Sequence, residues 1–337
     1  MAVTTSPYVS DALPSGTVDA VVTGGGAAGL NGALMLARSR RSVVVIDSGS
    51  PRNAPAEPMH GFVVLDGAPP PEILRRGREQ VRQYGGRVVF GEVASAEPVA
   101  LSADEDLRFT ITLADGRSVT ARRVLVATCL RDVLPEVPDL TEHCGHSVVH
   151  CPYRRGWEVR DEPIGILTTS PASVHHALLF RQLTEDLTYF THGTSLDEGT
   201  RTRFTARGIR VIDTPVQEIV NAEDGALAGV RLADGQVVAR RVLAIATQMQ
   251  ARTEGLDGLK LPMEDLPDDM GRRFASGMAG TTEVPGVWVA GNATDLAAQV
   301  GASAAAGSLA GSHINAPLAA ADTDAAFAAA QGPNPTA

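Results

Sequence analysis

Short apolar runs alternate with segments of helical period along most of the chain. Residues 18–22 form the first run; the turn Gly24-Gly25-Gly26-Ala27-Ala28-Gly29 follows, and 30–38 has the period of a helix. A second run over 42–46 closes on Asp47. Strand, turn, helix and strand in that order predict a βαβ unit, because neighbouring parallel strands must be joined by a crossover. A longer helix is expected over 71–84 and another strand over 87–90.

The pattern then repeats. Leu113-Ala114-Asp115-Gly116 leads through Arg122-Arg123 to an apolar run ending at Thr128, and Leu232-Ala233-Asp234-Gly235 leads through Arg240-Arg241 to one ending at Thr247. In both copies 13 positions separate the Asp from the final Thr. Asp-Gly between alternating runs is a hairpin signal. Two copies, each late in a strand–turn–helix series, imply two domains of one architecture. The second series opens with a strand over 163–167, a turn over 168–173, a helix to about 183 and a strand over 187–190. A run over 286–290, ending at Gly291, returns the chain to the first unit. The expected fold class is therefore α/β, with two Rossmann-like, three-layer domains, the second inserted in the first. The first domain is discontinuous, 17–130 with 250–316, and the inserted one spans 131–249. Residues 1–16, rich in Ser, Thr, Pro and Gly, and the Ala-rich 317–337 read as disordered tails.

Composition narrows the function classes. The 337 residues carry 29 basic and 39 acidic side chains, a net charge of −10, and no long basic run. Phosphate backbones and anionic membrane surfaces need clustered cations, so neither is an expected partner. No apolar stretch approaches membrane-spanning length, and the first residues lack a signal-peptide pattern. Three cysteines, Cys129, Cys144 and Cys151, are an odd count and too few for a disulfide scaffold. Reduced thiols and a cytoplasmic location are expected.

The glycine turn carries the first chemistry. Gly24 permits the tight turn, Gly26 lets backbone approach a pyrophosphate, and Gly29 allows close helix–strand packing, with the helix N-terminus facing the negative charge. Asp47 stands 18 residues beyond Gly29, where a carboxylate accepts ribose hydroxyls. A dinucleotide is implied, whether FAD or NAD.

Three further segments decide between them. They are Gly291-Asn292-Ala293-Thr294-Asp295 with Gln299-Val300 and a small-residue helix to Asn315, then Asp47-Ser48-Gly49-Ser50-Pro51-Arg52-Asn53 with His60-Gly61-Phe62, and lastly His150-Cys151-Pro152-Tyr153 with Gly156–Asp161. Over about 17–316 the chain resembles the thioredoxin reductase-like FAD flavoproteins, in the branch of natural-product dithiol oxidases. The resemblance implies FAD, held by Gly24, Gly26, Ala27, Ala28, Gly29, Asp47, Ser48, Arg52, Asn53, His60, Val93, Ala127, Thr128, Gly291, Asn292, Gln299 and Val300. It also implies a homodimer, and it places Glu57, Met59, His60 and Phe62 in a loop beside the flavin. His60 is the candidate substrate-side acid or base. Asn292 stands where relatives often have Asp, and an amide still bonds a hydroxyl. Gln299 and Val300 would begin a helix whose positive end faces the flavin.

Two departures change the expected chemistry. The family's redox motif is Cys-x-x-Cys, and its flavin-side sulfur would fall at Arg154, with Arg155 where a proton-accepting His often follows. Cys151 alone cannot form the intramotif disulfide. It is either a space-filling remnant or a thiol activated by adjacent guanidiniums, with Cys129 or Cys144 as a resolving partner. Arg154 either anchors a substrate carboxylate near the isoalloxazine, or stabilises reduced flavin there, or pairs outward in a salt bridge. In the inserted domain the turn reads Thr168-Thr169-Ser170-Pro171-Ala172-Ser173, bringing β-carbons where a pyrophosphate wants bare backbone. Thr191-His192-Gly193 offers no paired Arg for a 2′-phosphate. The expected activity is an FAD-dependent oxidase acting directly on a small molecule of specialised metabolism, NADPH-independent, with molecular oxygen as acceptor and Cys151, Arg154 and His60 as catalytic candidates. The alternatives are a dithiol oxidase using Cys151 with another thiol, and a flavin-binding protein without turnover. No metal is expected, His175-His176 lacking companion ligands.

Overall fold

The computed structural model describes residues 10–54, 58–100 and 106–331. Strand β1 (Thr17–Thr23), helix α1 (Ala27–Arg38) and strand β2 (Val43–Asp47) form the first βαβ unit, with Ala20 opposite Val43 in parallel register. All of β2 is buried, as a central strand covered on both faces requires. Helix α2 (Pro70–Gln83) leads to β3 (Arg87–Phe90), parallel to β2. The chain then makes an antiparallel meander of β4 (Val93–Pro98), β5 (Phe109–Leu113) and β6 (Ser118–Val126).

The two crossings between domains are β7 (Leu130–Val133) and β16 (Gln248–Ala251), paired antiparallel with Arg131 opposite Gln250. Between them lie β8 (Val148–Val149), α3 (Pro152–Arg155), β9 (Ile164–Leu167), α4 (Ala172–Phe180), β10 (Leu187–Phe190), α5 (Glu198–Ala206), β11 (Arg210–Ile212), β12 (Val216–Asn221), β13 (Leu227–Leu232), β14 (Val237–Ala239) and β15 (Val242–Ile245). They build a parallel sheet, β11-β10-β9-β15-β8, and a separate antiparallel one, β12-β13-β14. After the return come β17 (Met263–Leu266), β18 (Gly271–Phe274), β19 (Val287–Val289) and α6 (Val300–Ala330). Strand β19 pairs in parallel with the second half of β6, completing the first sheet. Each domain thus has a sheet between two buried apolar layers, with Phe109, Ile111 and Phe274 on one face of the first and Leu36, Leu125 and Ile314 on the other. The architecture is the two-domain α/β fold expected, the second domain inserted in the first.

The sequence repeat reappears atom for atom. Gly116 and Gly235 have φ of 86° and 88°. Arg117 N–H donates to Asp115 Oδ1 at 3.1 Å, and Gln236 N–H to Asp234 Oδ1 at 2.9 Å. Both turns close by the same device, an Asp side chain accepting the amide two residues on.

The expected tails need correction over 10–16 and 317–331, residues 1–9 and 332–337 lying outside the described ones. Helix α6 continues through 317–330, where disorder was expected. Alanine is the strongest helix former, Leu318 is fully buried, and Asp322 bridges Arg41 and Arg122 at 2.5 and 2.7 Å. At the other end Asp11 lies along β3, its amide donating to Val88 O at 3.0 Å and its carboxylate accepting from Arg82 at 2.8 Å.

Candidate functional site

The glycine turn joins the C-terminal end of β1 to α1. Gly24 has φ 110° and donates its N–H to Ile46 O at 2.7 Å. A β-carbon there would overlap Ala127 O, and one on Gly29 would overlap Gly24 O. At Gly26, by contrast, a β-carbon would meet nothing within 4 Å. The middle glycine therefore keeps space open for something that is not protein. It is also the N-cap of α1 and provides no side-chain cap, so the first amides of the helix face that space. Ala27 and Ala28 follow in that first turn, and Gly291, at φ 70°, lies against Ala28.

Asp47 ends β2 beside this turn. Its Oδ1 accepts from Gly49 N–H at 2.9 Å and its Oδ2 from Arg78 at 2.8 Å. Both side chains of the pair are under a tenth exposed. The carboxylate also explains Gly25, since a β-carbon there would collide with it. Arg78 was not anticipated, yet it occupies the stripe Leu74–Arg78–Val81, an apolar position by helical spacing. A cation at a core position is the sequence signal of a buried partner. Ser48 is exposed and Asn53 half-buried.

Arg52 and Asn292 have acquired structural duties. Arg52 forms a bidentate pair with Asp132 of β7, both contacts at 2.7 Å, and Thr247 donates to the same carboxylate at 2.7 Å. Burial raises the Asp132 pKa, but the Arg52 hydrogen bonds and charge outweigh it and hold the group below the usual range. The Asn292 amide donates to the carbonyls of Asp295, Leu296 and Ala298 at 2.9, 3.2 and 2.8 Å. An Asp could not donate there, which accounts for the departure from the family pattern. Thr128 donates to Arg252 O at 2.8 Å, and Val93 packs against the core and under Gly255.

Three segments distant in sequence meet at the mouth of the turn. The loop around His60 and Gly61 touches Gln299, the N-cap of α6, and approaches the Tyr153 carbonyl of α3. Phe62 lies against Gly301. Helix α6 can seat its N-terminus there because Gly307 lets its backbone rest on Ala28 of α1. His60 is bracketed by carboxylates: Nδ1 meets Asp66 Oδ2 at 3.2 Å and Nε2 faces Glu158 Oε1 at 3.2 Å. The second approach is off the line of a hydrogen bond, so buried Nε2 remains unpartnered. In the same loop Val64 holds φ 75°, a strained conformation for a β-branched residue. Glu57 lies outside the described residues.

Cys151 caps α3, and its carbonyl accepts from the Arg154 and Arg155 amides at 3.2 and 3.3 Å. Arg155 turns away and donates to Gly145 O at 2.8 Å. Arg154 stays in the cleft, within electrostatic reach of Arg52, Cys151, Asp132 and Cys129. Cys129, at φ 67°, directs its thiol at Asn292 Oδ1. All three cysteines are free. Cys144 is withdrawn, its thiol bonded to Leu140 O and its pKa raised by burial and then by Asp132.

The inserted domain's turn superposes in pattern on the first. Thr168 N–H donates to Phe190 O at 3.1 Å, as Gly24 does to Ile46. From there the two turns diverge. Thr168 Oγ1 donates to Phe190 O at 2.7 Å, Thr169 Oγ1 to Ala246 O, and Thr169 N–H to Ser173 Oγ at 3.1 Å. Pro171 stands where Ala27 supplies an amide. His192, after β10, accepts Val216 N–H at 3.1 Å on Nδ1, and burial lowers its pKa.

On α4, burial of His176, then the charges of His175 and His150, push its pKa down to about 4. The folded value lies below the unfolded one, so its contribution to stability is complete above about pH 6.5 and lost as pH falls towards 4, at most about 3 kcal/mol. Urea midpoints at pH 7.5 and 4.5 should therefore differ less in His176→Gln than in the wild type. An unchanged difference would dismiss the residue as an acid-sensitive point.

A family model described as pyridine nucleotide-disulphide oxidoreductase matches residues 18–310. The chain belongs to that family. The protein named thioredoxin reductase tcpT of Claviceps purpurea is 32% identical over 285 residues, 82% of this chain and 87% of its own. Thioredoxin reductase aclD of Aspergillus oryzae is 30% identical, covering 81% of this chain and 88% of its own. Among solved structures, HlmI is 43% identical with a TM-score of 0.87, covering 94% of this chain and 98% of its own.

As a thioredoxin reductase-like member of the family the protein is an FAD-dependent oxidoreductase, and its residues fit the cofactor. The space over Gly26, the free amides of α1 and the carboxylate of Asp47 match a pyrophosphate flanked by a ribose. In the second turn the Thr169 amide and the Thr168 and Thr169 hydroxyls are spent on the protein. Among the described residues no helix is long and apolar enough to cross a membrane, and no group of side chains forms a metal site.

Proposed function

We propose that the protein is an FAD-dependent oxidase that acts on a small molecule of specialised metabolism directly at the flavin. The observation that carries this reading is Arg154, a guanidinium at the position of the relay's flavin-side sulfur. The closed turn at Thr168–Ser173 supports it from the other side, because it removes the usual route for electrons from NADPH. FAD, when bound, supplies the two-electron acceptor. The overall balance is substrate-H2 plus O2 giving oxidised substrate plus hydrogen peroxide.

The chain's own residues then have defined tasks. His60 takes the substrate proton on Nε2, the buried nitrogen without a hydrogen bond, while Asp66 on Nδ1 fixes the ring. Glu158, from the inserted domain, closes the pocket over that nitrogen. Gln299 and the first amides of α6 point positive charge at the cofactor. The reading includes a cytoplasmic homodimer.

The test is anaerobic flavin reduction screened against candidate metabolites, followed by oxygen uptake with the reducing compound. Cys151→Ser should retain full turnover. Turnover abolished in Cys151→Ser and Cys129→Ser alike would instead support dithiol oxidation through that pair, a reading favoured by one observation, that both thiols fall within electrostatic reach of Arg154. Absence of oxygen uptake with every reducing compound would remove the oxidase reading.

A further inference from the structure

We propose that Arg154 is the recognition site for a carboxylate on the substrate, an inference that rests on the direct-oxidase reading and names its substrate class. Three guanidiniums lie around α3 and β7, with Arg154 within electrostatic reach of Arg52. Arg52 is committed to Asp132 through two hydrogen bonds. Arg155 is turned onto Gly145 O. Among the described residues the Arg154 side chain has neither a hydrogen bond nor an ion pair, although it is half-buried. Burial and the neighbouring Arg52 lower its pKa, but a guanidinium stays charged.

A half-buried cation without a partner is costly unless something in solution completes it. A second atom points the same way. His150 Nδ1, adjoining Cys151 and in the same cluster of charges, is buried and unpartnered. Orphaned polar atoms beside an unpaired cation mark a place for a polar ligand. Asp132 pairs with Arg52 and Arg155 is committed to a carbonyl, so Arg154 is the guanidinium left to bind, and a carboxylate matches the bidentate geometry a guanidinium prefers. Cys151 caps the helix that carries Arg154, and Cys129 lies within electrostatic reach of it, so an acidic reagent held by Arg154 is brought towards a thiol.

That delivery gives the test. The holoenzyme is treated with iodoacetate or with iodoacetamide, and labelling of Cys151 and Cys129 is followed by peptide mass spectrometry. The same protein unfolded in urea supplies the intrinsic rate ratio of the two reagents. The folded protein should favour iodoacetate by about tenfold over that ratio. Benzoate should suppress the preference, Arg154→Gln abolish it and Arg154→Lys keep part of it. A folded ratio equal to the unfolded one, or one unchanged in Arg154→Gln, overturns the proposal. If neither thiol reacts, direct titration decides: benzoate must bind at least about tenfold tighter than benzamide, and equal binding overturns the proposal. Should Arg154→Gln fail to fold, wild-type competition by benzoate answers alone. Alkylation needs no turnover, so its failure leaves the oxidase reading standing, and an absence of oxygen uptake leaves the labelling ratio untouched.

Discussion

Gly26→Asp should yield a folded, colourless protein, while Gly29→Val should yield no folded protein at all. The two positions lie three residues apart in one turn and differ in what surrounds them. At Gly26 a β-carbon meets no protein atom within 4 Å, and the backbone is extended, at φ −82° and ψ −169°, which any residue adopts. An Asp there becomes a good N-cap for α1, worth about 0.5 kcal/mol or less relative to Gly. The same carboxylate intrudes on the pyrophosphate and repels it in a partly dry site. FAD affinity should fall by about 100-fold or more, roughly 3 kcal/mol. At Gly29 the overlap is with Gly24 O and with Val22, so the helix must lift off β1. Overpacking of that kind costs about 3 kcal/mol or more, a large part of a domain's stability. Visible absorbance and urea denaturation of both variants give the answer. A yellow Gly26→Asp with full flavin content would show that the pyrophosphate does not lie over that turn.

That contrast also marks how far the sequence is legible. The turn, the repeat and the domain insertion were readable because they are local: each is fixed by glycines, Asp-Gly pairs and apolar runs close together in the chain. Long-range pairs were not readable. Arg52 meets Asp132 across 80 positions, and Arg78 meets Asp47 across 31. His60 finds Glu158 only once the inserted domain has folded over the first, and nothing in either residue's neighbours announces the other. For Arg78 a signal existed, its place on the inward stripe of α2. Asn292, expected to bond a cofactor hydroxyl, also staples its own loop, its amide nitrogen facing three carbonyls there. The C-terminal segment misled for another reason. Its alanines lack amphipathic period, yet residues with no polar group to place still form a helix when Leu318 and Asp322 anchor it.

NADPH in excess, without oxygen, should leave the flavin oxidised. A pyrophosphate needs free backbone amides. In the first domain the turn donates none of its leading N–H groups to a side chain. In the second, Thr169 N–H is held by Ser173 Oγ at 3.1 Å, and Pro171 has no N–H to give. Each charge-assisted bond so lost is worth about 1.5–3 kcal/mol, so two make the dinucleotide roughly 100- to 10,000-fold weaker. At the adenosine end His192 spends Nδ1 on Val216 N–H, and its burial disfavours the cation a 2′-phosphate would want. Thr169→Gly with Ser173→Gly frees one amide and removes two β-carbons, but Pro171 still blocks the other. That double variant should remain unreduced, and adding Pro171→Ala should restore measurable NADPH binding. Stopped-flow absorbance follows reduction, and equilibrium dialysis follows binding. Rapid bleaching of the wild type by NADPH would mean that the nicotinamide reaches the flavin by a route this turn does not govern, and the oxidase reading would lose its second support.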